Sequence, residues 1–306
     1  MPEFIWNGVG LTTPEAWEPS AIERDGLTFA SGDRPVCELK WNRVQGTFSF
    51  DKHIKRLTKG NKAAGIMGVS EEETPAAWTA ALDVLTESGI RSKSFLWKTG
   101  SHRGMGAALH NPGSGLAALV QFFIYSDDDE GRAAAVLHSM RDYYLGQSLP
   151  WAMFGLRGRV PSEFVLNTFS FKPGHYRVQY WRPRSGKQSD RAQVGKGPGT
   201  HLVFERFAPA SVVLKDTALS SWLGHGMEDA PPASMDVVEI DGCARWNGAV
   251  KSNLMRTVLR RTVYSQGRVW TTATQNAILS VVAHGTVPAP EPIFNEICES
   301  YGLVQE

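Results

Sequence analysis

The residues best placed to do chemistry lie on alternate positions of two short apolar stretches. In Val36-Cys37-Glu38-Leu39-Lys40-Trp41, strand alternation puts Val36, Glu38 and Lys40 on one face and Cys37, Leu39 and Trp41 on the other. A carboxylate in a partly desolvated cleft has its pKa raised, which suits Glu38 to general acid or base work. In Ser94-Phe95-Leu96-Trp97-Lys98 the same alternation groups Ser94, Leu96 and Lys98, and Lys98 is expected to face Glu38's cleft and bind a substrate carboxylate. The plain alternative for Glu38 is a cross-strand ion pair with Lys40 or Lys98. His102, His110, His175, His201, His225 and His284 fall at no metal-ligand spacing, so no metal is expected. Asp127-Asp128-Asp129-Glu130 reads as a solvated helix start, because four adjacent acids do not all face one ion and do favour a helix N-terminus. There is no Ser-His-Asp or Walker-type signature, and the glycine-rich stretches GSHRGMG and GKGPG are not nucleotide fingerprints, because neither sits in the required strand-loop-helix unit.

Positioning such residues takes a sheet with helices against it. Gly32 to Ile66 reads as two short strands about Gln45-Gly46, the second resuming at Thr47 to Phe50, followed by a helix. Asp51 is a good N-cap, Ile54, Leu57 and Ala64 form an apolar stripe, and Gly65 supplies a left-handed stop. Thr74-Pro75 opens a second helix with Trp78, Ala81, Leu82 and Leu85 on one face, ended by Gly89. Ser94 to Trp97 and Leu116 to Tyr125 read as buried strands, and Gly131 to Tyr144 has helical spacing. Further on, strands are expected at Phe164 to Phe171, Tyr176 to Trp181, Ser211 to Leu214, Met235 to Ile240 and Val269 to Thr274. Helices are expected at Ser252 to Val263 and, at the end of the chain, Ile293 to Tyr301. The fold class is α+β, with a smaller N-terminal α+β domain over 1–130 and a larger C-terminal mixed α/β domain over 131–306. No internal repeat or low-complexity tract is evident.

At 306 residues, 42% hydrophobic and 21% charged, the chain has the composition of an ordinary globular protein with room for two cores. A formal charge of +1 supplies no global field for nucleic acid or an anionic membrane. No apolar run reaches the ~18 residues that a membrane span requires, and MPEFIWNGVG has no leader pattern, so a cytoplasmic protein is expected. Cys37, Cys243 and Cys298 are odd in number, widely spaced and expected to be inert. Ten tryptophans spread from Trp6 to Trp270 point to core packing, or to an aromatic-lined pocket for a flat substrate.

Five motifs carry a family resemblance. GD at Gly32-Asp33 precedes a strand, a turn and FDKHIKRL at Phe50 to Leu57. KTGSHRGMGAALHNPGSGLAALVQFFIYS, Lys98 to Ser126, places an Arg103-Gly104 pair in a glycine-rich loop between two strands. EIDGC, NGAVKSNLMRTVL and VWTTATQNAILSVV follow in the second half. Together these resemble the class IV (fold-type IV) pyridoxal-phosphate enzymes, which include the branched-chain and D-amino-acid aminotransferases and aminodeoxychorismate lyase. The resemblance implies a two-domain class IV aminotransferase-like fold, a homodimer, and a site whose floor is the face carrying Val36, Glu38 and Lys40. It puts Arg56 and the threonines Thr272 and Thr274 at the cofactor phosphate, and makes Lys196 the nearest candidate for the imine lysine.

The departures from the family pattern shape the functional expectation. Family spacing puts Asp190 at the lysine position, Glu228 and Asp229 stand off register for the pyridinium acid, and Lys251 replaces an arginine, while Glu38 stands where the family has small or neutral residues. A retained scaffold with an altered floor suggests imine chemistry without pyridoxal phosphate. A Pictet-Spengler cyclase joining a tryptophan-like amino acid to an aldehyde or keto acid is a concrete example. The alternatives are a divergent pyridoxal-phosphate aminotransferase or lyase using Lys196 and Arg56, and a non-catalytic binding protein in which Glu38 is salt-bridged.

Overall fold

The computed structural model describes residues 1–54, 65–68, 74–184, 194–250 and 262–304. The chain divides into two compact units, Met1–Leu156 and Arg157–Val304. That division falls well after the boundary expected at 130, for a local reason. The helix beginning at Asp127 packs on the helix over Ala76–Glu87, and the strands after it pair with the N-terminal hairpin.

The first unit opens with β1 (Glu3–Trp6) and β2 (Val9–Thr12). Asn7 and Gly8, at φ 45° and 84°, make the left-handed two-residue turn that an Asn-Gly pair favours. Strands β10 (Arg141–Asp142) and β11 (Ser148–Met153) flank this hairpin in the order β10-β2-β1-β11. The main sheet comprises β3 (Glu18–Glu23), β4 (Gly26–Ser31), β5 (Arg34–Arg43), β6 (Gly65–Gly68), β7 (Arg91–Lys98), β8 (Arg103–Asn111) and β9 (Leu116–Phe123). Its order is β3-β4-β5-β9-β8-β7-β6, and its ladders are antiparallel. Helix α1 (Ala76–Glu87) follows Pro75 and buries Trp78, Ala81 and Leu85, and Gly89 at φ 83° ends it, as the spacing predicts. Helix α2 (Asp127–Ser139) starts in a capping box between Ser126 and Asp129, with its acids in the first turn.

The hairpin expected inside Val36 to Phe50 does not form. Arg34 to Arg43 is one strand that pairs with β4 on one side and β9 on the other. Gln45-Gly46 therefore ends that strand and does not turn it back; residues 47–49 join no strand, and residues 50–54 are helical.

The second unit repeats this plan. Its strands are β12 (Leu156–Pro161), β13 (Val165–Lys172), β14 (His175–Pro183), β15 (Gly199–Phe207), β16 (Val238–Ile240), β17 (Cys243–Ala249), β18 (Tyr264–Thr272), β19 (Ala277–Gly285) and β20 (Gly302–Leu303). The sheet order β13-β14-β15-β19-β18-β17-β16 matches that of the first unit strand for strand. The small features repeat too. Phe154-Gly155, at φ 52° and 74°, copies the Asn7-Gly8 turn. Trp17 N–H donates to the Pro14 carbonyl and Phe164 N–H to that of Pro161, each at 3.0 Å. Each third strand then breaks register, between Pro19 and Ala21 and between Leu166 and Thr168. Thr12 N–H reaches Ser139 Oγ at 2.8 Å, and Arg159 N–H reaches Ser300 Oγ at 2.9 Å. Only a glycine, a proline and an aromatic side chain mark the shared turn in both copies, so the repeat is not visible in the sequence.

Each unit has helical residues in the segment after its long central strand, 50–54 in the first, where Phe50 and Ile54 pack against Phe95 and Trp97, and the units differ in the helices beyond it. In the second, α3 (Ala210–Leu214) and α4 (Leu219–Gly226) lie between β15 and β16, and α5 (Glu291–Ser300) takes the place of α2. Ser211 to Leu214 is thus helical, although its β-branched residues suggest a strand. Trp222 and Leu223 of α4 pack on Val203, Trp246, Val269 and Val282, forming a core on that sheet face. Trp6, Trp78 and Trp151 are fully buried, so these tryptophans serve the core.

Candidate functional site

Glu38 lies in the middle of β5, opposite Gln121 of β9. One carboxylate oxygen pairs with Lys40 Nζ at 3.2 Å, and the other accepts a hydrogen bond from Gln121 Nε2 at 3.0 Å. Lys40 also approaches Glu23 at 3.6 Å. The hydrogen bond to Glu38 is the main cause holding the Lys40 ammonium's pKa above its ordinary value. Glu38's side chain is 30% exposed, half-buried between these partners. Val36 is buried, and so is Cys37, whose thiol is pushed far up by burial and then by Glu38. All three cysteines are free.

Sheet register separates Lys98 from Glu38. Glu38 pairs with Gln121, Gln121 with Gly106, and Gly106 with Phe95. Residues directly opposite one another in an antiparallel ladder project to the same side. Phe95 and Trp97 therefore share Glu38's side, while Ser94, Leu96 and Lys98 project to the other, where Trp78 Nε1 of α1 donates to Ser94 Oγ at 2.9 Å. Phe95 also stands three strand spacings away, about 14 Å. Leu96 and Lys98 line a cavity of about 240 Å³ with Arg103 and Glu130. The expectation of one cleft holding Glu38 and Lys98 fails on strand parity: an even number of residues keeps a side, and the count across these ladders is odd.

The other expected site residues are scattered. Thr272 Oγ1 donates to the Ala277 carbonyl at 3.2 Å and Thr274 Oγ1 to Gln275 at 3.2 Å, both at the β18–β19 turn of the second unit. Lys196 is exposed, next to the positive-φ glycines Gly195 and Gly197. Arg56, Asp190 and Lys251 lie outside the described residues. Among the described residues no group of three or more His, Cys, Asp or Glu is arranged to hold a metal ion, and no helix is long and apolar enough to cross a membrane.

A dense polar cluster lies in the second unit, and it includes Arg177 and Glu205, which the sequence reading did not single out. Glu205 of β15 is fully buried, and one of its oxygens meets His175 Nε2 at 3.0 Å and Arg177 Nη1 at 2.9 Å. Arg177 reaches Asp229 with its other nitrogen at 2.6 Å. Burial lowers the Arg177 pKa, but the two carboxylates outweigh it and hold the guanidinium above its usual value. His284 Nδ1 lies 3.5 Å from Asp229, and its ring stacks on that of His201, its cross-strand partner, with centroids 5.1 Å apart. Burial is the main cause lowering both imidazoles, that of His201 to about 4, where the neighbouring His284 adds to it. Arg177 and Glu205 are directly opposite in the β14–β15 ladder, so contacts made by register join residues that are distant in sequence. The legible signal was polar residues at alternate positions of apolar strands: His175, Arg177 and Gln179, then His201 and Glu205. The chain brings together a brace of alternating charges, fixed by packing.

Comparison with known proteins gives little. No family model and no curated protein matches the sequence. Six chains of solved structures are similar to part of the chain, two of which serve as examples. One is the Ran-binding protein Mog1p of Saccharomyces cerevisiae, 8% identical, with a TM-score of 0.36 over 51% of this chain and 95% of that one. The other is a mutant form of the protein Mog1, 9% identical, with a TM-score of 0.35 over 52% of this chain and 97% of its own.

Proposed function

We propose that this chain is a non-catalytic binding protein built from two copies of one α+β unit. The observation that carries the reading is the state of Glu38. Both oxygens of the candidate catalytic carboxylate are engaged, by Lys40 and Gln121. A general acid or base aims an oxygen lone pair at the proton it moves, whereas the contacts Glu38 makes, one on each oxygen, are those of a structural ion pair and a cross-strand hydrogen bond. The repeated unit supports the same reading, since two copies of a scaffold give two surfaces for ligands or partners.

The imine-forming enzyme is the second reading. It would combine the class IV arrangement, a homodimer, and an amino-acid substrate handled without pyridoxal phosphate, or with it on Lys196. What favours it is that Glu38 retains some exposure and shares a sheet side with Phe95 and Trp97. The test is an absorbance spectrum of the purified protein in the near-ultraviolet and visible, with and without pyridoxal phosphate, beside Lys196→Ala. Amines and aldehydes are then screened for condensation with wild type and Glu38→Gln. The binding reading expects no imine band and no Glu38-dependent turnover. A band lost in Lys196→Ala, or turnover lost in Glu38→Gln, replaces it with the enzyme.

A further inference from the structure

The second unit holds a cavity of about 290 Å³ whose charged residues make no ion pair with one another. Arg245 of β17 and Arg268 of β18 both line it, and they stand directly opposite in the ladder. Like charges in that relation are unfavourable, so their placement calls for something between or above them. Among the described residues neither arginine has a carboxylate within ion-pair distance. The neighbouring Cys243 thiol is the main cause holding the Arg245 guanidinium above its usual value. The Arg268 guanidinium lies 5.3 Å over the Trp270 ring, and its Nε is buried with no hydrogen-bond partner. Gln266, two residues before Arg268 on the same strand side, also lines the cavity. It is only 7% exposed, and its amide makes no hydrogen bond among the described residues.

Two carboxylates, Asp236 and Glu291, border the same space, and among the described residues neither is paired there. A simple anion would be repelled by those carboxylates and a simple cation by the arginines. A molecule bearing both charges at separate ends satisfies all four groups. The geometry points to a binding site for a compact zwitterion, an α-amino acid with an apolar side chain. Its carboxylate lies on the guanidinium forks of Arg245 and Arg268, which match that planar group. Its ammonium faces Asp236 and Glu291, the Gln266 amide completes the polar contacts, and Phe294 and Val238 offer apolar wall to the side chain. The volume is near the lower end for small-molecule sites. The site needs neither Glu38 nor any assumption about catalysis.

Calorimetric titration of the full chain with L-phenylalanine and L-leucine tests the assignment. N-acetyl-L-phenylalanine (carboxylate only), L-phenylalanine amide (ammonium only) and inorganic phosphate serve as comparisons. The expected result is saturable binding of the free amino acids, weakened about tenfold or more on blocking either end. Arg268→Gln and Asp236→Asn should each weaken binding by a similar factor. Arg245→Gln, at an exposed position, repeats the test with little risk to folding. Asp236→Asn should in addition narrow the gap between phenylalanine and its N-acetyl form. The proposal is overturned if neither amino acid binds at about 10 mM, if the arginine variants bind as wild type does, or if phosphate or the N-acetyl form binds at least as well as the free amino acid.

Discussion

The two units place different chemistry on one ladder. Counting from the shared register break, Glu38 of the first sheet corresponds to Val203 of the second, Gln121 to Val282, Lys40 to Glu205 and Gly26 to Arg177. In the first unit these positions hold a hydrogen-bonded surface pair, Glu38 with Lys40, partly open to solvent. In the second, Val203 and Val282 are fully buried beneath α3 and α4, and the neighbouring row carries a fully buried glutamate clamped by an arginine. A backbone that repeats so closely does not dictate what its faces do. Where helices cover the face, it becomes core, and a charge left there must be paired.

The largest expected effect follows from that contrast. Arg177→Met leaves the fully buried Glu205 with His175 as its remaining partner and takes the guanidinium from the half-buried Asp229, and should cost about 3–5 kcal/mol of stability, as breaking a buried pair does. Lys40→Met, on the corresponding pair of ladder positions, removes a half-exposed partner and should cost no more than about 1 kcal/mol. Chemical denaturation of both variants reads the difference. Equal costs would break the comparison, because the second unit's charges would then be behaving as surface charges.

Where the units are alike, substitution should act alike. Phe95 lies over Gly106 and Trp246 over Gly267, each across one ladder rung, and a Cβ on either glycine would overlap the ring. Gly106→Ala and Gly267→Ala should each destabilise by about 1–3 kcal/mol, the usual cost of overpacking, with thermal melts of the two variants shifted by comparable amounts.

A smaller effect distinguishes the units by pH. His201 and His284 are held below the ordinary imidazole range, chiefly by burial, with Gln179, Asp229 and Arg177 around them. Well above the ordinary imidazole pKa of about 6.5 both rings are neutral folded or unfolded, and they contribute nothing to the pH dependence. As pH falls from there towards 4, the unfolded chain takes up protons that the folded His201 does not, and stability is lost over that window. His201→Gln should flatten the melting temperature against pH between these limits. An unchanged slope would remove the imidazoles from the account.

How much of this was legible follows from the range of the interactions. Helix α1 is local in its causes: Pro75 at its start, Trp78, Ala81 and Leu85 on one stripe, Gly89 at its end. Its apolar stripe and its glycine stop were legible, while at its start Pro75 takes the cap position that the sequence suggests for Thr74. The organisation of β5 depends on β9, some eighty residues away, and Gln45-Gly46 carries no mark distinguishing a strand's end from a hairpin turn. Parity across β5, β9, β8 and β7 decides that Lys98 and Glu38 face apart, and no spacing within either strand contains that information. The duplication is hidden for a related reason. Geometry is conserved between units through hydrogen bonds such as Thr12 to Ser139 and Arg159 to Ser300, and these need little from side-chain identity except the serine.

The smallest expected effect tests the polar row of the first unit against its apolar counterpart. Replacing Glu38 and Gln121 together by valine recreates the Val203–Val282 pair of the second unit on the first unit's sheet. The double variant loses the Gln121–Glu38 hydrogen bond and the Lys40 ion pair, and gains β-branched residues suited to a strand. The two changes oppose each other, so the net shift in stability should fall within about 0.5–1 kcal/mol. Glu38→Val alone should cost more than the pair, because Gln121 then keeps an amide with its partner gone. A double-mutant cycle on unfolding free energies measures the coupling. A coupling near zero would mean that Glu38 and Gln121 do not hold one another, leaving the carboxylate available and returning weight to an acid–base role for it.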